Sequence, residues 1–200
     1  GISDSLSWQV GDGKWSRSSN DSFFGMTLPL IRDGIPVKCR SLEQIKTADD
    51  LAGVEVLLLS YDCQKPLTQT VNAAIAQWVK KGGTLLYLGG SDRFAESEAE
   101  WWAQTGGSPL NSLLAELGLE NIRAVSTSAC NKLVWTGKGE QRDIDGFFAD
   151  ASMRRFNTAF TGSDNGIITC DGDTLGIDEA VGKGRFIAVG LTSACYAGKD

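Results

Sequence analysis

The sequence predicts a three-layer α/β sandwich: a mostly parallel central sheet between helices, with a β-hairpin near the C-terminus. Three observations carry that expectation. Val54 to Ser60 is an almost unbroken apolar run, as a strand shows when both of its faces are covered. Val71, Ala74, Ile75, Trp78 and Val79 then recur at helical spacing, opened by Pro66-Leu67-Thr68 and stopped by Gly82-Gly83. Thr84 to Leu88 is a second apolar run, closed by Gly89-Gly90. Strand, helix and strand over short links make a βαβ unit, which favours a right-handed crossover between parallel strands.

The remaining elements follow in chain order. Ser5 to Val10 alternates polar and apolar residues and reads as a first strand, broken by Gly11-Asp12-Gly13. Asn20, Asp21 or Ser22 caps a helix through Phe23, Met26, Leu28 and Ile31 that stops at Gly34, with Pro29 as a point of kinking or restart. Ile35 to Cys39 reads as a short strand, and Phe94 to Trp102 as helical. Ser108 or Asn111 starts a helix through Leu113, Leu114 and Leu117 that ends at Gly118. Short β-like pieces follow at Ile122 to Ser126, Lys132 to Trp135, Arg155 to Phe160 and Gly166 to Thr169. Leu175 to Val181, Gly182-Lys183-Gly184 and Arg185 to Leu191 read as the hairpin.

Composition narrows the chemistry. The chain has 200 residues and no histidine, which removes the usual neutral-pH general base and excludes any Ser-His-Asp or Cys-His-Glu triad within it, leaving a catalytic Lys, a carboxylate pair or a base from another chain or domain. A net charge of −6 repels phosphate backbones, so nucleic acid is not an expected partner. No stretch approaches the roughly 20 apolar residues that span a bilayer, so no membrane is expected either. The five cysteines, Cys39, Cys63, Cys130, Cys170 and Cys195, are scattered without a C-x-x-C pair, which argues against a zinc site. They read as buried or half-buried free thiols of a reducing compartment, hence a cytoplasmic location. Gly1 looks like a residue left by cloning and Ala197-Gly198-Lys199-Asp200 ends without capping logic, so the chain reads as an excised piece of a longer polypeptide, residues 1–200 forming one domain.

An open α/β sheet places ligands at the C-terminal ends of its strands. Two such ends are Ser60-Tyr61-Asp62-Cys63-Gln64 and Gly89-Gly90-Ser91-Asp92-Arg93. Tyr61, Asp62, Cys63, Ser91, Asp92 and Arg93 are therefore the candidate ligand-binding residues. Ser91, Asp92 and Arg93 read either as an anion or sugar site or as a capped loop with an internal ion pair. A nucleophile elbow would need glycine where Arg93 stands. Cys63 lies near Lys65 and a helix start, which would favour a thiolate, or it is an inert loop thiol. No phosphate-binding glycine pattern is present, so no cofactor is expected. Asp164-Asn165-Gly166 and Asp171-Gly172-Asp173 hold calcium-type ligands but complete no EF-hand loop and read as turns. Adjacent helical residues point about 100° apart, so at most one of Trp101 and Trp102 is fully buried. The other would lie at an edge, on a sugar or against another subunit.

Three segments also carry a family likeness. They are Ser22 to Val37, reading Ser-Phe-Phe-Gly-Met-Thr-Leu-Pro-Leu-Ile-Arg-Asp-Gly-Ile-Pro-Val, then Val56 to Tyr61, then Ala76 to Leu85, reading Ala-Gln-Trp-Val-Lys-Lys-Gly-Gly-Thr-Leu. Their order resembles the class I glutamine-amidotransferase-like superfamily, and more closely the trimerisation-type domain of bacterial β-galactosidases. The resemblance covers most of residues 5 to 120 and the final hairpin. It implies a flavodoxin-like sheet and an accessory role in a carbohydrate-active polypeptide, with other domains of the parent, a second copy or a carbohydrate as partners. Active amidotransferases carry a cysteine elbow after the strand matching Thr84 to Leu88. Here Gly90-Ser91 stands in that place, so no catalytic residue is assigned. The competing expectations are an interaction module, a sugar- or small-ligand-binding domain at the strand ends, and a hydrolase using Cys63 or Ser91.

Overall fold

A computed structural model describes residues 17–62, 65–89, 101–104, 107–127, 130, 132–144 and 157–196. The expected strand Ser5 to Val10 lies outside them, as does the expected helix Phe94 to Trp102 except for Trp101 and Trp102, which fall in a 3-10 turn, Trp101–Gln104.

Three helices are described. The first, α1 (Arg17–Arg32), begins earlier than its capping residues suggested and runs through Pro29 unbroken. It ends at Gly34, whose φ of 77° only glycine adopts freely. In α2 (Gln69–Lys80) the expected stripe is buried: Val71, Ala74, Ile75, Trp78 and Val79. In α3 (Pro109–Leu117) Ser108 is the N-cap, accepting from the Asn111 backbone N–H at 3.1 Å, and Gly118 closes the helix in the left-handed region.

The strands are β1 (Val56–Leu59), β2 (Thr84–Leu88), β3 (Arg123–Thr127), β4 (Leu133–Trp135), β5 (Arg142–Ile144), β6 (Asn157–Thr161), β7 (Gly166–Cys170), β8 (Asp173–Val181) and β9 (Gly184–Val189). Seven of them form one sheet in the order β1-β2-β9-β8-β7-β4-β5, and β3 pairs with β6 apart from it. The pairs β1–β2 and β2–β9 are parallel. The pairs β9–β8, β8–β7, β7–β4 and β4–β5 are antiparallel. The sheet is thus mixed and mostly antiparallel, which corrects the mostly parallel sheet expected. The βαβ unit exists as read, but consecutive strands β4–β5, β7–β8 and β8–β9 pair antiparallel. One of these pairs is the expected β8–β9 hairpin. Another turns through Asp171-Gly172, both at positive φ (51° and 99°), a two-residue turn that suits the twist of paired strands.

Two further expectations fail. Ile35 to Cys39 forms no strand. β1 is one of the two edge strands of the seven-stranded sheet among the described residues, with Val56 50% exposed and Leu57 and Leu58 only half-buried, although its sequence reads as covered on both faces. Leu59 alone is fully enclosed there.

The sheet separates two apolar clusters. α2 and α3 lie on one face with Leu59, Leu85, Tyr87, Ile177 and Phe186. On the other face Met26 of α1 joins Leu88, Leu133, Ile168, Leu175 and Leu191. In that second cluster Cys130 and Cys170 are joined by a disulfide, with Cα atoms 5.8 Å apart. They are not the free thiols expected, because the β4–β7 pairing brings together positions 40 residues apart in sequence. Cys39 is a free thiol but exposed rather than buried. No helix among the described residues is long and apolar enough to cross a membrane.

Candidate functional site

Parallel pairing sets the C-terminal ends of β1, β2 and β9 along one edge of the sheet. Ser60-Tyr61-Asp62 follows β1, Gly89 follows β2, and Gly190-Leu191-Thr192-Ser193 follows β9. Asp62 is buried, at 7% exposure, and its Oδ2 accepts three hydrogen bonds from the far strand end. They come from Thr192 Oγ1 at 2.9 Å, the Ser193 backbone N–H at 2.7 Å and Ser193 Oγ at 3.1 Å. Ser60 Oγ lies 3.2 Å from Ser193 Oγ and accepts from the Asp62 N–H at 3.1 Å. This oxygen is thereby committed to joining β1 to β9, and buried carboxylates need such partners.

Tyr61 turns the other way, into the helix side of the sheet. Its hydroxyl donates to Asn72 Oδ1 of α2, and Asn72 Nδ2 donates to the Pro109 carbonyl at 3.0 Å. Its ring meets that of Tyr87 edge-on, with centroids 5.7 Å apart. Burial pushes the Tyr61 phenol far above its ordinary range, so it stays neutral and serves as a donor. Cys63, Ser91, Asp92 and Arg93 lie outside the described residues.

β6 closes over the end of β9. The Thr158 N–H donates to the Gly190 carbonyl at 2.7 Å, and a side chain at Gly190 would stand 1.8 Å from the Thr158 carbonyl oxygen. Gly190 is therefore required by close approach of the two backbones. An open depression of about 400 Å³ lies at the opposite end of the sheet, beside Thr84, Asp178, Lys183 and Arg185. There Arg185 grips Asp178 through Nε at 2.6 Å and through a second guanidinium nitrogen.

Sequence reasoning named Tyr61 and Asp62 but missed Ser60, Asn72, Thr192 and Ser193 as their partners. The strand-end rule that singled out Asp62 applies equally to Leu191-Thr192-Ser193, which follows the apolar run of β9. Trp101 and Trp102 follow the expected division: Trp102 is buried, while Trp101 is half-exposed and donates its indole N–H to the Pro66 carbonyl at 2.9 Å. Asp164-Asn165 turns the chain between β6 and β7, where Asn165 Nδ2 and Ser163 Oγ hold the buried Glu179 carboxylate at 2.8 and 2.5 Å.

The described residues define a mixed α/β fold in which Asp62, Thr192 and Ser193, at two strand ends, bind one another. No family model matches the chain, and no curated protein matches it by sequence. Solved structures do resemble it. An exo-β-1,4-mannosidase from Opitutaceae bacterium strain TAV5 aligns over 90% of this chain and 28% of its own, with a TM-score of 0.55 and 14% identity. A β-galactosidase from Bacillus circulans sp. alkalophilus aligns over 92% of this chain and 26% of its own, with a TM-score of 0.53 and 15% identity. A cytoplasmic protein of Salmonella typhimurium LT2 aligns over 85% of this chain and 75% of its own, with a TM-score of 0.52 and 16% identity. At such identities the likeness is one of fold.

Proposed function

We propose that this chain is a non-catalytic accessory domain of a larger carbohydrate-active polypeptide, where it packs against other domains or a second copy. One observation carries the reading: nearly all of this chain aligns with about a quarter of each of two glycosidases. The rim supports it, because Asp62 is engaged by Thr192 and Ser193 instead of facing a substrate. The parallel β1-β2-β9 half, with α2 and α3 against it, is what a flavodoxin-like, amidotransferase-related ancestry would leave. Without a histidine, such a scaffold lacks the usual neutral-pH general base for glutamine hydrolysis. Cys63, Ser91, Asp92 and Arg93 stand as proposed ligand contacts on the sequence argument alone.

The test is the size and activity of the natural product. An antibody raised against this chain should detect, in the source organism, a polypeptide several times its 21.4 kDa that hydrolyses chromogenic glycosides, while the purified chain does not. A natural product of the chain's own size, or glycoside turnover by the chain itself, would overturn the reading.

A further inference from the structure

The β4–β5 edge of the sheet is weakly built. β4 and β5 are three residues each, and each pairing, β4 with β5 and β4 with β7, spans three register positions. Arg142 and Asp143 of β5 are exposed, Asp143 pairing with Lys132 at 2.8 Å, and only Leu133 of β4 is buried. A two-stranded ribbon of this length is marginal by itself. The disulfide sits where the ribbon joins the sheet. Cys130 precedes β4 by three positions, and Cys170 ends β7 as the register partner of Leu133. Both cysteines are nearly enclosed, at 2% and 3% exposure, among Leu133, Ile168 and Leu175.

We propose that the Cys130–Cys170 bond is a redox latch that holds the β4–β5 ribbon on the sheet. The burial sets the order of events. Thiol–disulfide exchange needs a thiolate to reach a sulfur, so the bond forms while the ribbon is still undocked and is shielded once it docks. The oxidant is an organic disulfide of the glutathione type. One cysteine thiolate attacks it, forming a mixed disulfide and releasing one thiol. The second cysteine thiolate attacks the protein sulfur of that mixed disulfide, and the second thiol leaves. Two electrons pass from the cysteine pair to the oxidant, and the two cysteine protons end on the released thiols. A chain folded without such an oxidant keeps a loose ribbon on an otherwise intact domain.

The experiment is amide hydrogen exchange on the whole chain, oxidised and after reduction by a phosphine in denaturant followed by refolding with the phosphine present, together with alkylation of the denatured, unreduced protein. We expect Cys130 and Cys170 to resist alkylation until reduced. Reduction should then speed exchange at Val134, Trp135 and Arg142 to Ile144 at least tenfold, while Leu85 to Tyr87 stays unchanged. C130S and C170S should show the fast ribbon without reductant. If those variants do not fold, the reduced wild-type chain carries the same comparison. Alkylation of both cysteines without reduction would overturn the proposal. So would equal ribbon exchange in the two redox states, or acceleration spread evenly over the sheet.

Discussion

The backbone N–H of Lys183 donates to the carbonyl of Lys80 at 3.0 Å, so the β8–β9 turn caps the C-terminus of α2. The contact joins the last hairpin of the sheet to the helix of the βαβ unit and satisfies a carbonyl that the helix end would otherwise leave open. It works because glycines bring the backbones together: a side chain at Gly184 would lie 2.0 Å from the Val79 carbonyl oxygen and 2.3 Å from that of Gly83.

Replacing that glycine should therefore separate hairpin and helix. We expect Gly184→Ala to lower stability by about 2–3 kcal/mol, read from urea unfolding. Gly172→Ala is the control for glycine loss at a turn with open space, since nothing lies within 4 Å of its added carbon. There only the positive φ resists, and the loss should be smaller, about 1 kcal/mol. Equal losses would show that the close approach is not what matters.

The rim carboxylate should behave as a structural tie. Asp62→Ala leaves the Ser193 N–H and two hydroxyls facing a gap, and we expect a loss of about 2–3 kcal/mol in urea unfolding. Asp62→Asn keeps an acceptor oxygen and should cost less. A stable Asp62→Ala variant that instead loses binding to a sugar panel would favour a ligand site at the strand ends.

Tyr61 and Asn72 should be coupled energetically. Asn72 is fully enclosed between the Tyr61 hydroxyl and the Pro109 carbonyl. Asn72→Ala strands both groups and should cost about 2–3 kcal/mol, against about 1 kcal/mol for Tyr61→Phe. The double variant should cost less than the sum, with a coupling on the order of 1 kcal/mol. Strict additivity would mean that the hydroxyl finds another partner.

Asp50 offers a pH test. Its Oδ2 accepts from the Thr47 N–H at 2.8 Å, the Lys46 N–H at 3.0 Å and Thr47 Oγ1 at 3.1 Å. The Thr47 backbone bond, then that of Lys46, then the Thr47 hydroxyl hold its carboxyl below the ordinary 3.8. The folded value is the lower one, so the contribution is present above pH 3.8 and is lost as pH falls through the depressed value. Carbon-detected NMR titration should find Asp50 titrating below 3.8, and Thr47→Ala should move it part of the way back.

What was legible in the sequence shows in particular elements. α2 and β2 stand where the apolar spacing put them, and Ser108 and Gly118 mark the ends of α3, because periodicity and capping report the burial and termini of one contiguous segment. β5 was missed: Arg142-Asp143-Ile144 is polar and short, with no run to detect. β1 was misjudged, because an apolar strand reads alike in the middle of a sheet or at its margin. The same blindness hid the antiparallel half, since an apolar run does not record the direction of its neighbour.

By itself, then, the chain's order of residues determined the βαβ unit, the β8–β9 hairpin, and the loss of histidine-based chemistry. Only the tertiary structure decided the direction of the pairings, the bond between Cys130 and Cys170, and the tie from Asp62 to Ser193 across 131 positions. The physical reason is range. Helical spacing and turn chemistry act over a few residues, whereas a strand's partner and a buried carboxylate's donors are set by where the whole backbone has travelled.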